Sequence, residues 1–303
     1  MSDIIKIIKN PYRILAHLIK GKDRFLSDKT YLNILYRACF GKPINWKKPQ
    51  TYNEKLQWLK IYDRNPLYTT LVDKYEVKKY VAERIGAEHI IPTLGVWEHF
   101  NDIDFEKLPD QFVLKCTHDS GGLVIVQDKS KLDIETAKTK IEKSLKRNYY
   151  WSSREWPYKH VKSRIIAEKY MVDIAGDLKD YKLFCFNGKV YYLFIASDRN
   201  KPGEEVKFDY FDRDFNRLPL RQAVHPNSSY DIKKPENYEG MVTLAEKLSV
   251  GLPQVRVDFY DINGKIYFGE YTFFHHGGFV PFIPEKYDWE WGGKMNLSQL
   301  MVE

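Results

Sequence analysis

The sequence predicts an α+β fold: a helical N-terminal segment followed by two mixed units built on antiparallel hairpins. Two observations carry most of this. Asn187-Gly188 and Asn263-Gly264 each sit between short runs rich in β-branched and aromatic residues, which is a strong hairpin signal. Before them, the first seventy residues show helical rather than alternating spacing of apolar positions. The expected units are residues 1–70 (helical segment), 71–170 (first mixed unit) and 171–303 (second mixed unit).

The elements follow in order. The start, MSDIIKIIKNPYRILAHLIKGK, is basic and amphipathic: Ile4, Ile7, Ile8, Leu15, Leu18 and Ile19 recur at helical spacing, and Pro11 is a break or a start. It reads as a helix packed on the core or as a contact with a membrane surface through residues 1–20. Lysines interrupt its apolar stretch, so it does not read as a signal peptide. Helices are predicted over 28–40, over 51–61 with Thr51 and Glu54 in capping-box spacing, and over 73–85 with a stop at Gly86. QFVLK and GLVIV read as strands joined by a turn, 134–148 as an amphipathic helix, and RIIAEKY as a buried strand. YKLFCF and KVYYLFIA form the first Asn-Gly hairpin, VRVDFY and KIYFGEY the second. Residues 196–235 read as a polar loop region and 236–249 as a helix.

Bulk properties narrow the function classes. The chain has 303 residues, formal net charge +7 and 22 tyrosines, which favours anionic partners and half-buried surfaces that grip polar ligands. Lys and Arg are scattered rather than blocked, so no nucleic-acid partner is expected. Three cysteines (Cys39, Cys116 and Cys185), widely spaced and without a CxxC pair, argue against a disulfide framework and a zinc site. A cytoplasmic location is the natural expectation, with peripheral attachment at the inner face of the membrane if the amphipathic start is used. No apolar run approaches the roughly 20 residues needed to span a bilayer.

Three constellations could carry chemistry. In VRVDFY, Arg256 and Asp258 share one strand face; in FGEYT, Glu270 and Thr272 do. A two-residue loop at Asn263-Gly264 would oppose Asp258 to Gly269. A three-residue loop including Lys265 would oppose Asp258 to Glu270 and Arg256 to Thr272, and this form is expected. Two carboxylates so close repel unless a cation lies between them, and Mg²⁺ suits oxygen ligands. Second, in VLKCTHDSGGLVIV a strand ends at Lys115 and a loop of Asp119, Ser120, Gly121 and Gly122 follows, where backbone N–H groups can approach a phosphate. No Walker A or GxGxxG string occurs, and His118 reads as a loop residue. Third, a buried strand runs into Glu168, Lys169, Tyr170 and Met171, and Asp180 and Lys182 share a face beyond it. His275 and His276, just past Thr272, could bind a substrate carboxylate or act as a base.

In this order the three constellations resemble the ATP-grasp fold. The wider wording is VDKYEVKKYVAERIG, HIIPTLGVWEHFNDID, LPDQFVLKCTHDSGG, IIAEKYM, DYKLFCFNGKV and VRVDFYDINGKIYFGEYTFFHHGG. It resembles the TupA-like ATP-grasp proteins of bacterial capsule and teichuronopeptide synthesis, over about residues 28 to 295. The resemblance implies two α+β subdomains clasping ATP, with Mg²⁺. It implies that Lys74 and Lys115 bind phosphate, that Asp119 to Gly122 close over it, and that Glu168 to Met171 read the adenine edge. It places Asp180 at the ribose, Lys182 at phosphate or substrate, Asp258 and Glu270 on the metal, and Arg256 on an acyl phosphate and a tetrahedral intermediate. Thr272 replaces the usual Asn of the metal site, and the first seventy residues do not read as a Rossmann-like domain.

The implied function is a carboxylate–amine ligase, releasing ADP and phosphate and joining an amino acid to a uronic acid of a surface polysaccharide precursor. The same ATP site would serve a sugar kinase. Asp102-Ile103-Asp104 and Asp212-Arg213-Asp214 are D-x-D strings of the kind used by glycosyltransferases, and the basic start would suit a peripheral membrane scaffold.

Overall fold

The computed structural model describes residues 10–19, 23–174, 179–198, 203–298 and 300. Ile4, Ile7 and Ile8 of the amphipathic start therefore lie outside the described residues. Helix α1 (Pro11–Leu18) begins at the proline, with Asn10 capping it from outside. Helix α2 (Asp28–Phe40) is capped by Ser27 and stopped by the left-handed Gly41. Helix α3 (Tyr52–Tyr62) opens with the expected capping box of Thr51 and Glu54.

The helix expected over 73–85 starts later. Asp73 turns its carboxylate onto the Tyr75 and Glu76 N–H groups and so caps α5 (Glu76–Ile85) rather than entering it. A separate short helix, α4 (Leu67–Val72), precedes it.

A four-stranded antiparallel sheet follows, in the order β1-β4-β2-β3, from β1 (Thr93–Trp97), β2 (Phe112–Cys116), β3 (Leu123–Val126) and β4 (Ile165–Lys169). Helix α6 (Ile134–Leu145) covers it, burying Ala137 and Ile141 against Phe112 and Leu114. A short helix, α7 (Tyr150–Ser153), leads into β4.

The larger sheet has five antiparallel strands. They are β5 (Asp180–Phe186), β6 (Lys189–Ser197), β7 (Lys207–Asp212), β9 (Gln254–Ile262) and β10 (Lys265–Thr272), in the order β10-β9-β5-β6-β7. Strand β7 and the short β8 (Arg221–Gln222) occupy the region read as loop. The alternation Phe208, Tyr210 in β7 was a strand signal hidden between charged neighbours. Helix α8 (Tyr238–Ser249) packs on this sheet, β11 (Phe282–Ile283) pairs with β8, and α9 (Lys286–Lys294) closes the fold.

The large sheet shares its core with the N-terminal helices: Tyr52, Leu56, Tyr68 and Leu71 lie in one cluster with Phe184, Leu193 and Val257. The N-terminal helical segment thus packs directly on the second sheet. Trp291 joins the parts. It is fully buried, stacked on Tyr192 at 4.4 Å and edge-on to Phe184, Phe282 and Tyr52. Trp291→Ala should destabilise the fold by about 3–5 kcal/mol, read as a lower denaturant midpoint with an unchanged slope. A loss under about 1 kcal/mol would mean that the site collapses freely.

Both Asn-Gly pairs form two-residue turns with positive φ at both positions. At the second, Ile262 opposes Lys265, so the expected three-residue loop is not formed. The extra residue enters further along: a one-residue bulge at Gly269–Glu270 sits opposite Asp258, after which Tyr271 opposes Val257 and Thr272 opposes Arg256. The bulge fits glycine, because a Cβ at Gly269 would lie 3.2 Å from the Asp258 carbonyl oxygen and from the Tyr260 ring.

Candidate active site

The two sheets face each other across a cleft of about 350 Å³. From the smaller sheet and its loops come Lys115, Asp119, Ser120, Gly122 and Glu168; Lys74 comes from the turn before α5 and Lys78 from its first turn. From the larger sheet come Asp180, Lys182, Asp258 and Glu270. A second cavity of about 500 Å³ adjoins it, sharing Lys115, Glu168, Ile91, Leu123 and Tyr260, and is lined further by Lys169, Tyr170 and Met171. Its walls mix apolar side chains, Ile91, Val113, Leu123 and Ile125, with the polar Gln127 and Asp173.

The smaller-sheet side is organised by Glu168. Buried at the end of β4, it accepts from Lys115 at 2.6 Å and from Lys78 at 2.5 Å. Burial opposes its ionisation, but the two lysines outweigh that and hold the carboxyl below its usual range. Lys78 also donates to the Ile91 carbonyl at 2.7 Å. Sequence reading missed Lys78; the buried positions Val77, Val81 and Ile85 mark the inner face of α5, and Lys78 adjoins it.

The loop 117–122 is tied down rather than free. Asp119 is buried, and its carboxylate takes hydrogen bonds from Arg147, Ser144 Oγ and the Ser120 N–H. His118 Nε2 meets the Ser144 and Arg147 carbonyls, which makes it a loop anchor. Gly121 lies against Arg147, and a side chain at Gly122 would strike Cys116 Sγ and Ser144 Oγ at 2.5 Å. Lys74 donates to the Asp119 carbonyl at 3.0 Å and stands 3.8 Å from Glu270.

The larger-sheet side centres on Arg256. Its Nε and Nη2 donate to the two oxygens of Asp258, each at 2.7 Å, in a bidentate pair. Nη2 also donates to Thr272 Oγ1 at 2.8 Å, and Glu270 Oε1 lies 3.6 Å away. Lys182, directly opposite Asp258 in the β5–β9 register, bonds Asp258 and pairs with Asp180 at 2.6 Å. Burial works against the charge on Asp258, yet Arg256 and Lys182 overcome it and hold the carboxyl below its ordinary value.

His275 lies behind this array, 2% exposed. Arg256 Nη1 is 2.9 Å from His275 Nδ1. A guanidinium cannot accept, so Nδ1 is the unprotonated nitrogen and Nε2–H donates to Gln222 Oε1 at 2.7 Å. Both ring nitrogens are thereby committed. Sequence reading missed Gln222, which also accepts from Tyr210 and has no local signature.

The sequence profile described as TupA-like ATPgrasp matches residues 54–296. The chain belongs to the TupA-like ATP-grasp family. Two antiparallel sheets closing on a cleft give it the ATP-grasp fold. Among solved structures it is similar to an L-amino acid ligase from Bacillus licheniformis, at 11% identity over 84% of this chain and 55% of that one, with TM-score 0.44. It is also similar to a D-alanine–D-alanine ligase from Bacillus anthracis complexed with ATP (18%, 82% and 63%, TM-score 0.39). A third is an N5-carboxyaminoimidazole synthetase from Staphylococcus aureus complexed with ADP (15%, 67% and 43%, TM-score 0.37). The chain thus spans between 43% and 63% of the length of these three. No curated protein matches it significantly.

The donor chemistry of this TupA-like protein fits a magnesium nucleotide. Four lysines, Lys74, Lys78, Lys115 and Lys182, line the cleft and suit phosphates. Among the described residues no three His, Cys, Asp or Glu side chains form a metal-ligating group. Asp258 and Glu270 are two carboxylates of the larger-sheet wall, an oxygen-donor type that suits a hard cation, and both Asp258 oxygens already accept from Arg256 and Lys182.

The histidines give the site an acid limit. Burial, reinforced by the charges of Arg256, His225 and Lys182, pushes His276 down to about 4, and burial pushes His275 well below its usual range. Unfolded histidines bind protons near pH ~6.5. Between there and pH about 4 the unfolded chain holds more protons, so stability rises with pH and is lost as pH falls through that window. The loss from His276 should reach up to about 3 kcal/mol. His276→Asn, which keeps a side chain tolerant of left-handed backbone, should flatten the fall in Tm between pH 7 and pH 5; an unchanged slope would exclude His276 as its source.

Proposed function

We propose that the chain is an ATP-dependent carboxylate–amine ligase. The carrying observation is that Lys74, Lys115, Asp258 and Glu270 line one cleft, with Arg256 buried against the two carboxylates and a second cavity of mixed polarity adjoining it. In this reading the adenine lies in that cavity beside Glu168 to Met171, Asp180 faces the ribose, and Lys74, Lys115 and Lys182 hold the phosphates. Asp258 and Glu270 would hold Mg²⁺, which supplies charge neutralisation on the phosphoryl group. A substrate carboxylate oxygen bonds to the γ-phosphorus as the bond to ADP breaks. An amine then bonds to the acyl carbon, phosphate leaves and the amine proton passes to solvent. Arg256 steadies charge in both steps. Holding both reactants beside it supplies much of the acceleration.

The family resemblance implies a uronic acid of a surface polysaccharide precursor and an amino acid as substrates, and the net charge of +7 suits an acidic sugar. Purified protein with Mg-ATP and a matrix of amino acids against uronic acids should release phosphate only when both are present, with a product lighter than their sum by one water. ADP with a stable phosphorylated sugar and no free phosphate would replace the ligase by a kinase.

The N-terminal helix supports attachment at the inner face of the membrane. α1 leaves Ile14, Leu15 and Leu18 exposed beside Arg13, and no described helix is long and apolar enough to cross a membrane. Removing residues 1–20 should abolish co-sedimentation with anionic vesicles and spare turnover; retained sedimentation would refute this contact.

A further inference from the structure

Lys60 is the least expected residue in the fold. It is a lysine in the middle of α3 with 0% exposure, and its three donor directions are all filled. Nζ donates to the Gly277 carbonyl at 2.7 Å, the Ser153 carbonyl at 2.8 Å and Gln57 Oε1 at 3.1 Å. The Phe279 ring lies 4.6 Å away, giving the cation an aromatic face. A buried ammonium is costly to keep, and burial pushes Lys60 down to about 7 although Glu155 and Asp28 act the other way. Nothing in the phosphate cleft touches it.

What it holds is a left-handed turn. His276, Gly277 and Gly278 are three consecutive residues in the left-handed region, at φ 49°, 62° and 68°. Gly277 and Gly278 adopt this region freely, whereas His276 needs support from its surroundings to stay there. Here Gln57 Nε2 donates to the Gly277 and Gly278 carbonyls at 3.0 and 2.9 Å, beside the Lys60 bond to Gly277. The clamp closes tightly: a Cβ on Gly278 would lie 2.4 Å from Gln57 Nε2. The residue entering this turn is His275, whose Nδ1 accepts from Arg256.

We propose that Lys60 and Gln57 are positioning residues for Arg256, acting through the left-handed turn 276–278 and the His275 ring. The N-terminal helical segment then sets the aim of the reacting-centre guanidinium. This rests on the ligase reading only in giving Arg256 a part in the reaction; the clamp itself is a matter of geometry.

Lys60→Met and Gln57→Leu test it. Each should lower kcat by about 10²-fold, as small misplacements at a reacting centre do, with KM for ATP changed less than about 3-fold, because the phosphate lysines are untouched. Nitrogen NMR of the His275 ring supplies a second readout. In the wild type the ring should stay neutral with Nε2 protonated at pH 6; in each variant it should titrate closer to its ordinary range. A folded Lys60→Met protein with wild-type kcat and an unchanged His275 spectrum would overturn the proposal. If Lys60→Met does not fold, Gln57→Leu decides by the same two measurements. A wild type that turns over no acid and amine would sink the ligase reading, and the His275 spectra would still judge the clamp.

Discussion

Arg256→Met should lower turnover by about 10³-fold or more while nucleotide affinity changes by only a few-fold. The size follows from what the guanidinium does. It spans both oxygens of Asp258, the Thr272 hydroxyl and the His275 ring, and stands 3.6 Å from Glu270. A preorganised charge aimed at developing negative charge is worth about 10²–10⁵ in rate, depending on the reaction. Arg256→Lys should rescue little, because one ammonium cannot make the bidentate pair and the two further contacts at once. Stability should change less than activity: Asp258 keeps Lys182 as a partner. Single-turnover kinetics and nucleotide calorimetry on both variants check this. Turnover within about ten-fold of wild type would remove Arg256 from the reacting centre.

Much of this site could be read from sequence because strand periodicity is short-range. Arg256 with Asp258, Glu270 with Thr272 and Asp180 with Lys182 each share a face by spacing alone, and the structure keeps all three pairs on the larger sheet. The pairing of Arg256 with Thr272 was also legible, though it arises differently. The loop was expected to supply the extra residue, whereas Asn263-Gly264 makes the tight turn its residues favour and Gly269–Glu270 supplies the bulge. A bulge depends on what the backbone must avoid across the strand, here Asp258 and Tyr260, and that is not local information. Strand β7 escaped notice for a related reason, since its apolar alternation is only three residues long.

The contributions least legible were the long-range ones. Lys78 meets Glu168 across 90 positions, Gln222 meets His275 across 53, and Lys60 reaches Gly277 across 217. A lysine in an amphipathic helix reads as solvent-facing until the tertiary fold brings carbonyls to it. The packing of the N-terminal helices has the same origin: their apolar positions are visible in sequence, but the sheet that covers them is not.

The two carboxylates nearest Arg256 should part company on stability and agree on activity. Asp258 is 1% exposed and neutralises two buried cations, so Asp258→Ala leaves Arg256 and Lys182 without their shared partner. Breaking a buried pair in this way costs about 3–5 kcal/mol. Glu270 has a side chain 42% exposed and only long ion contacts, 3.6 Å to Arg256 and 3.8 Å to Lys74. Exposed pairs of that kind contribute about 0–1 kcal/mol, so Glu270→Gln should leave Tm almost unchanged. Both variants should nonetheless lose magnesium-dependent turnover, by about 10²-fold or more, if both carboxylates hold the cation. Magnesium titrations of nucleotide affinity give a readout apart from activity: each variant should weaken the metal's effect on nucleotide binding. If Glu270→Gln retains full magnesium dependence and rate while Asp258→Ala is inactive and unstable, Glu270 is not a metal ligand, and Asp258 acts chiefly as the counter-charge that keeps Arg256 and Lys182 in the sheet.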